Sequence, residues 1–322
     1  MKTRVLILLL LGWLIALGAL ALAGCNSSPA TATPTLAVKI PPRLTPAPGN
    51  PPGVKPPITP PEDFGANGKP CSVTNPTTNA KLYVQVFAPD DTKTKYPALV
   101  LAPGGAGDSS GLIRDAAQVA PAGFVVVIFD PDGRGKSEGV EDLNGSKHQD
   151  GLAAIVRFTA TLPQVDATKI GLATFSYGIT MGAGALARYP DLPVKFLMDW
   201  EGPVDRNYTT TGCGANRPGG IQWQPCSNNV WWSEREAITF IGKIRVPYQR
   251  IQSEQDHVQP NNHHAIDIVN AAVQAQLPFV RLNDYPANQT YDPKSPPQML
   301  PETMDRQRAQ TVARYAQELC GK

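Results

Sequence analysis

Histidine is the scarcest chemistry-bearing residue in this 322-residue chain, which holds four: His148, His257, His263 and His264. Other absences exclude whole classes of function. No C-x-x-C pair and no Cys/His spacing of the zinc type occurs, so no structural metal is expected. G-x-G-x-x-G is missing, which removes the fingerprint of a nicotinamide site, and no cofactor is implied. The formal net charge is only +2, and no basic cluster with interleaved aromatics stands out, so nucleic acid is not an expected partner. Nothing in the carboxylates suggests glycoside hydrolysis.

Large apolar side chains are also missing from residues 26–62, where twelve prolines from Pro29 to Pro61 dominate. Such a segment buries too little surface to offset its ordering entropy, and proline biases it toward extended polyproline II. It reads as a semi-rigid spacer. Before it, Lys2 and Arg4 open an unbroken small and apolar run, Val5–Ala23, that closes on Leu22-Ala23-Gly24-Cys25. This tetrad resembles the lipobox of bacterial lipoproteins, which implies lipidation at Cys25; an uncleaved membrane span is the other reading. Both place the body of the protein outside the cytoplasmic membrane. The expected organisation is a leader over 1–24, a tether over 25–64 and one domain over 65–322.

Four further cysteines remain: Cys71, Cys213, Cys226 and Cys320. An even number in an exported chain suggests disulfides, with three connectivities open. Cys213–Cys226 with Cys71–Cys320 is the most economical, and the first would be worth about 3 kcal/mol by loop entropy.

Within the domain, 81–88 alternates like an antiparallel strand. Apolar runs at 96–102, 124–129, 170–175, 194–200, 247–252 and 279–282 then suit strands buried on both faces of a parallel sheet. Helical periodicity falls between them, at 110–120, 149–162, 177–189, 233–241 and 262–275, and again at 301–319. This alternation predicts an α/β fold with a doubly wound, mostly parallel sheet. Residues 202–235, rich in Gly, Asn and Trp, form a longer connection placed like a cap. Trp223, Trp231 and Trp232 either wall a pocket there or simply pack the loop.

Thr174-Phe175-Ser176-Tyr177-Gly178 stands between a strand and a helix, and resembles the nucleophile elbow of the α/β-hydrolases, G-x-S-x-G, with Thr174 in place of the first glycine. Pro103-Gly104-Gly105-Ala106-Gly107 is similar to the oxyanion loop of that superfamily, and Asp130-Pro131-Asp132-Gly133-Arg134-Gly135-Lys136-Ser137 to its D-x-R-G-x-G-x-S segment. The dienelactone hydrolase and dipeptidyl-peptidase-like branches are the most similar, over essentially all of 71–320. The resemblance implies Ser176 as nucleophile, backbone N–H donors at Tyr177 and at Gly105 or Ala106, and Asp256 as the acid after a late strand, with Glu201 the alternative. It also implies an ester or amide bond in a small molecule or peptide as substrate.

The base is the missing piece. The resemblance puts a histidine after the last strand, where residues 282–291 contain none and Asn288 stands in its place. All four histidines fall where strands run into helices, so a relocated base is expected from His257 or His263, with His148 and His264 also in reach of that edge. The alternative is a catalytically silent hydrolase fold kept as a binding or scaffold lipoprotein.

Overall fold

The computed structural model describes residues 68–90, 95–209, 213, 224–257 and 262–321. The leader, Cys25, the tether, Trp223 and much of the expected cap lie outside them. Strands β1 (Lys69–Thr74), β2 (Lys81–Phe87) and β3 (Tyr96–Ala102) precede helix α1 (Ile113–Val119). Then come β4 (Val125–Phe129), α2 (Ser146–Thr161), β5 (Val165–Phe175), α3 (Gly178–Arg188) and β6 (Val194–Trp200). Two short helices follow, α4 (Asn229–Ser233) and α5 (Ile238–Ile241). The chain closes with β7 (Tyr248–Ile251), α6 (His263–Gln274), β8 (Val280–Leu282) and α7 (Arg308–Cys320).

The strands form one sheet in the order β1-β2-β4-β3-β5-β6-β7-β8. β2 pairs antiparallel with β1 and β4, and the strands from β4 to β8 run parallel. Period-2 alternation sends side chains to two separate cores. Ala98, Val100, Val125 and Val127 join one with α2, α3, α5 and α6; Leu99, Leu101, Val126 and Ile128 join the other with α1 and α7. Sheet and helices therefore match the expected doubly wound class.

Four local expectations are corrected. β1 was not anticipated, because Pro70 and Ser72 weaken its pattern; as an edge strand it tolerates the proline. The helix expected over 233–241 is two short pieces, and the one over 301–319 begins as a 3₁₀ turn, Glu302–Gln307. The Cys71–Cys320 pairing is wrong: both are free thiols, whereas Cys213 and Cys226 are bonded with their Cα atoms 5.6 Å apart. Cys71 packs on one sheet face at the β1 edge and Cys320 on the other, so no bridge can join them. Burial pushes the Cys71 thiol up to about 11, so it stays protonated.

Candidate active site

The parallel strands deliver their C-terminal ends to one edge of the sheet, the usual place for ligands in an open α/β fold. At that edge β5, β6 and β8 end in the same way. The next residue, Ser176 (φ 49°), Glu201 (φ 51°) or Asn283 (φ 48°), takes a left-handed conformation. Its N–H still donates to the neighbouring strand: Ser176 to Trp200 O at 2.8 Å, Glu201 to Ile251 O at 3.0 Å, Asn283 to Arg250 O at 2.9 Å. A left-handed turn costs a non-glycine residue about 1 kcal/mol or more, and here it aims each side chain across the edge.

The elbow explains its own sequence. An ideal Cβ on Gly178 would lie 2.6 Å from Pro103 O, so helix α3 can start beside β3 only with glycine there. At the other end of the motif Thr174 is buried, and its hydroxyl donates to Met198 O at 3.1 Å. Its methyl group fills space above Gly182 of α3, where a Cβ would come within 2.4 Å. The glycine missing from the strand has its counterpart in the helix.

Ser176 Oγ lies 3.0 Å from His257 Nε2, and Glu201 Oε2 lies 2.8 Å from His257 Nδ1. The other Glu201 oxygen accepts from Ser253 N at 3.0 Å and from the Ser253 hydroxyl. Glu201 is fully buried, whereas the imidazole is about a third exposed at 35%. The hydrogen bond to Glu201 raises the His257 pKa above its ordinary value against the pull of burial, with Asp256, Glu201 and Asp305 adding their charge. Asp305 is itself raised, by burial and by Glu201, and accepts from Trp200 Nε1 at 3.2 Å.

The loop after β3 sits against the serine. A Cβ on Gly104 would meet Phe175 O at 2.4 Å and Ser176 Cβ at 2.8 Å, and Gly107 N donates to Gly104 O at 2.8 Å. Gly105 (φ 52°) has open space above it and Ala106 is exposed. Arg134 holds this loop from below: it is buried, forks onto Glu141, and donates to Gly107 O at 3.3 Å and to Asn144 Oδ1 at 3.0 Å. Asn144 Nδ2 in turn donates to Tyr177 O at 2.9 Å, so one guanidinium ties the loop to the elbow. The buried Tyr177 hydroxyl donates to Arg235 O at 2.7 Å, which fastens the insertion to the elbow.

The expected residues are sorted by this geometry. Ser176 and His257 come together; the carboxylate hydrogen-bonded to the imidazole is Glu201, and Asp256 Oδ1 stands farther off, 3.5 Å from Nδ1. His263 is exposed at the start of α6, and the ring at the serine is not its own. His148 is buried, accepts from Asn144 N and lies 2.9 Å from Asp132 O, bracing the loop before α2. His264 is buried and stacks on Tyr208 with ring centres 5.1 Å apart. Asn288 does not occupy the place of a base. Its N–H donates to Val280 O and its Oδ1 accepts from Val280 N, so it closes a turn at the start of β8, away from the active edge. Trp232 is buried, donates to Pro225 O and meets Trp231 edge-on at 4.7 Å, which makes this pair packing for the insertion. Glu201, Asp256 and His257 also bring ligand atoms within 4.8 Å of one another. Both ring nitrogens are already directed at Ser176 and Glu201, so a cation there would have to break the relay.

Comparison with known proteins agrees with this architecture. A family model described as X-Pro dipeptidyl-peptidase (S15 family) matches residues 78–228, a span that holds Ser176 and Glu201 but not His257. No curated protein matches the chain. Among solved structures, Porphyromonas gingivalis dipeptidyl peptidase 4 is similar at 18% identity and a TM-score of 0.58, over 78% of this chain and 35% of that one. The chain thus spans about a third of the length of the first peptidases it matches. An esterase of Pyrococcus furiosus is similar at 16% identity and a TM-score of 0.56, over 79% of this chain and 93% of that one. Est1E of Butyrivibrio proteoclasticus, solved with ferulic acid, gives 18% identity and a TM-score of 0.55, over 78% of this chain and 100% of that one.

Proposed function

We infer that this chain, an α/β-hydrolase by fold, is a serine hydrolase that cleaves an ester or amide bond by acyl transfer. The observation that carries the reading is the unbroken relay from Ser176 Oγ to His257 to the buried Glu201. In it, His257 Nε2 takes the hydroxyl proton as Ser176 attacks the substrate carbonyl, and later gives that proton to the leaving group. Glu201 fixes the tautomer with the proton on Nδ1 and stabilises the imidazolium. The oxyanion falls to the N–H groups of Tyr177 and of Gly105 or Ala106, each such donor being worth about 10²–10³ in rate. Water then attacks the acyl-enzyme by the same route in reverse. A small ester or a short peptide fits the relatives, and the His257 imidazole beside Ser176 speaks against the silent-scaffold alternative.

The test is labelling of the full chain with a fluorophosphonate probe beside Ser176→Ala. Labelling and turnover of aryl acetates and aminoacyl anilides should vanish in the variant. A folded wild-type chain that neither labels nor turns over such substrates would sink the reading. The leader and the lipobox-like tetrad support a further proposal, that Cys25 carries a lipid and 25–64 tethers the enzyme outside the cytoplasmic membrane. Cys25→Ser should move the labelled protein from the membrane to the soluble fraction; unchanged membrane association would count against the lipid.

A further inference from the structure

The relay has one carboxylate more than it needs. Asp256 precedes His257 in the chain, yet its side chain turns inward, leaving the residue 8% exposed. Its Oδ1 lies 3.5 Å from the same Nδ1 that bonds Glu201. Its Oδ2 accepts from Gln252 Nε2 at 3.1 Å and lies 3.3 Å from His264 Nε2. Behind it runs a buried chain: His264 Nδ1 lies 3.3 Å from Arg250 Nη2, and Arg250 Nη1 donates to Asp199 Oδ2 at 2.7 Å. Tyr248 Oη also donates to that Asp199 oxygen, at 2.7 Å.

The charge of Asp256 also acts on Arg250 and His264 along this chain. Burial lowers the His264 pKa against the pull of Asp256, so that ring is neutral near neutral pH. The Arg250 guanidinium is committed to Asp199 in a fully buried pair and to Gly202 O at 2.7 Å. A carboxylate held this close to Nδ1 interacts with the charged imidazole in a partly desolvated setting, where a unit charge counts for more than in water.

Resting on the serine-hydrolase reading, we propose that Asp256 is a positioning residue for His257, a second carboxylate that shares the imidazolium with Glu201. Glu201 makes the hydrogen bond that sets the tautomer. Asp256 contributes charge at 3.5 Å in the intact protein and accepts the Nδ1–H hydrogen bond, the proton staying on the ring, when Glu201 is lost. The groups facing His257 are then Glu201 from the end of β6, Asp256 from its own loop and Asp305 from the turn before α7. Arg308 lies behind Asp305 and is paired with Asp115.

The proposal is tested on the full chain with Asp256→Asn, Glu201→Gln and the double variant. His257 must be neutral to act as base, so activity rises with pH through its pKa. Asp256→Asn should move this acid limb to lower pH and cut kcat by about tenfold with KM nearly unchanged. Asp256→Glu, which keeps the charge, should restore the limb. Glu201→Gln should lose only about 10²–10³ in kcat, less than the roughly 10⁴ of a triad with a single acid. The double variant should fall at least tenfold below Glu201→Gln. A limb unmoved by Asp256→Asn, or a Glu201→Gln loss of the full 10⁴, overturns the proposal, and the second result needs no Asp256 variant to fold. An NMR titration of His257 in a Ser176→Ala background reads the same shift without turnover. Failure of the serine-hydrolase reading is thereby kept apart from failure of this one.

Discussion

The ends of β5 and β6 and the end of β8 share one backbone design and do different work. In each, a left-handed residue follows the strand and keeps its N–H on the neighbouring strand. After β5 and β6 the side chains so presented, Ser176 and Glu201, meet His257. After β8 the residue is Asn283, and its carboxamide turns back onto the scaffold. Oδ1 accepts from Gln252 N at 2.8 Å and Nδ2 donates to Gln252 O at 3.0 Å, extending the β7–β8 ladder by one rung. The same left-handed turn presents a side chain to His257 in two places and to the scaffold in the third. The imidazole comes from the loop after β7, so carboxylate and imidazole both sit one strand inward of the places that the resemblance gives the acid and the base.

The sharpest way to break that comparison is to remove the imidazole that the loop after β7 supplies. His257→Asn should lower kcat by at least about 10⁴-fold, because the amide cannot take the serine proton. Fluorophosphonate labelling should fall with it, while thermal unfolding changes little, since the imidazole is a third exposed and packs no core. Retention of labelling within tenfold of wild type would mean that another group serves Ser176, and the one-strand shift would be wrong.

How much of this was legible follows from what each signal depends on. Buried parallel strands announce themselves as apolar runs, and a nucleophile elbow is local, so the sheet and Ser176 could be read directly. Thr174 looked like a defect because its compensation, Gly182, lies eight positions away on the packing face of α3. The base was harder. Adjacent side chains usually diverge, and nothing in Asp256-His257 reveals that both carboxylate and imidazole reach one point. That convergence depends on a loop path fixed by tertiary contacts, among them Ser253 to Glu201 and Gln252 to Asp256. Glu201 was recognisable as a second candidate acid from its place after β6. Choosing it over Asp256 needed a difference of 0.7 Å at Nδ1, between 2.8 and 3.5 Å. The cysteines failed for a related reason: composition shows that Cys71 and Cys320 exist, but not that a sheet stands between them.

The smallest effect belongs to the third strand end. Asn283 is 2% exposed, and replacing it by alanine removes two hydrogen bonds to the Gln252 backbone. The Gln252 carbonyl keeps a partner in Leu300 N at 3.1 Å, so the main loss is the acceptor for Gln252 N. A buried donor left unpaired costs about 1–3 kcal/mol. Alanine must also hold φ near 48°, which asparagine tolerates better, for about 1 kcal/mol more. Glycine carries no such conformational strain, so Asn283→Gly separates the two contributions: it should lose the hydrogen bonds yet melt above Asn283→Ala. Thermal or urea unfolding reads both differences. Turnover of either folded variant should stay within about tenfold of wild type, because the residue bonds backbone and not the imidazole. Equal stability of alanine and wild type would show that the rung after β8 carries nothing. A collapse of kcat in a well-folded Asn283→Gly would show instead that β8 belongs with β5 and β6 as a strand whose end serves the reaction.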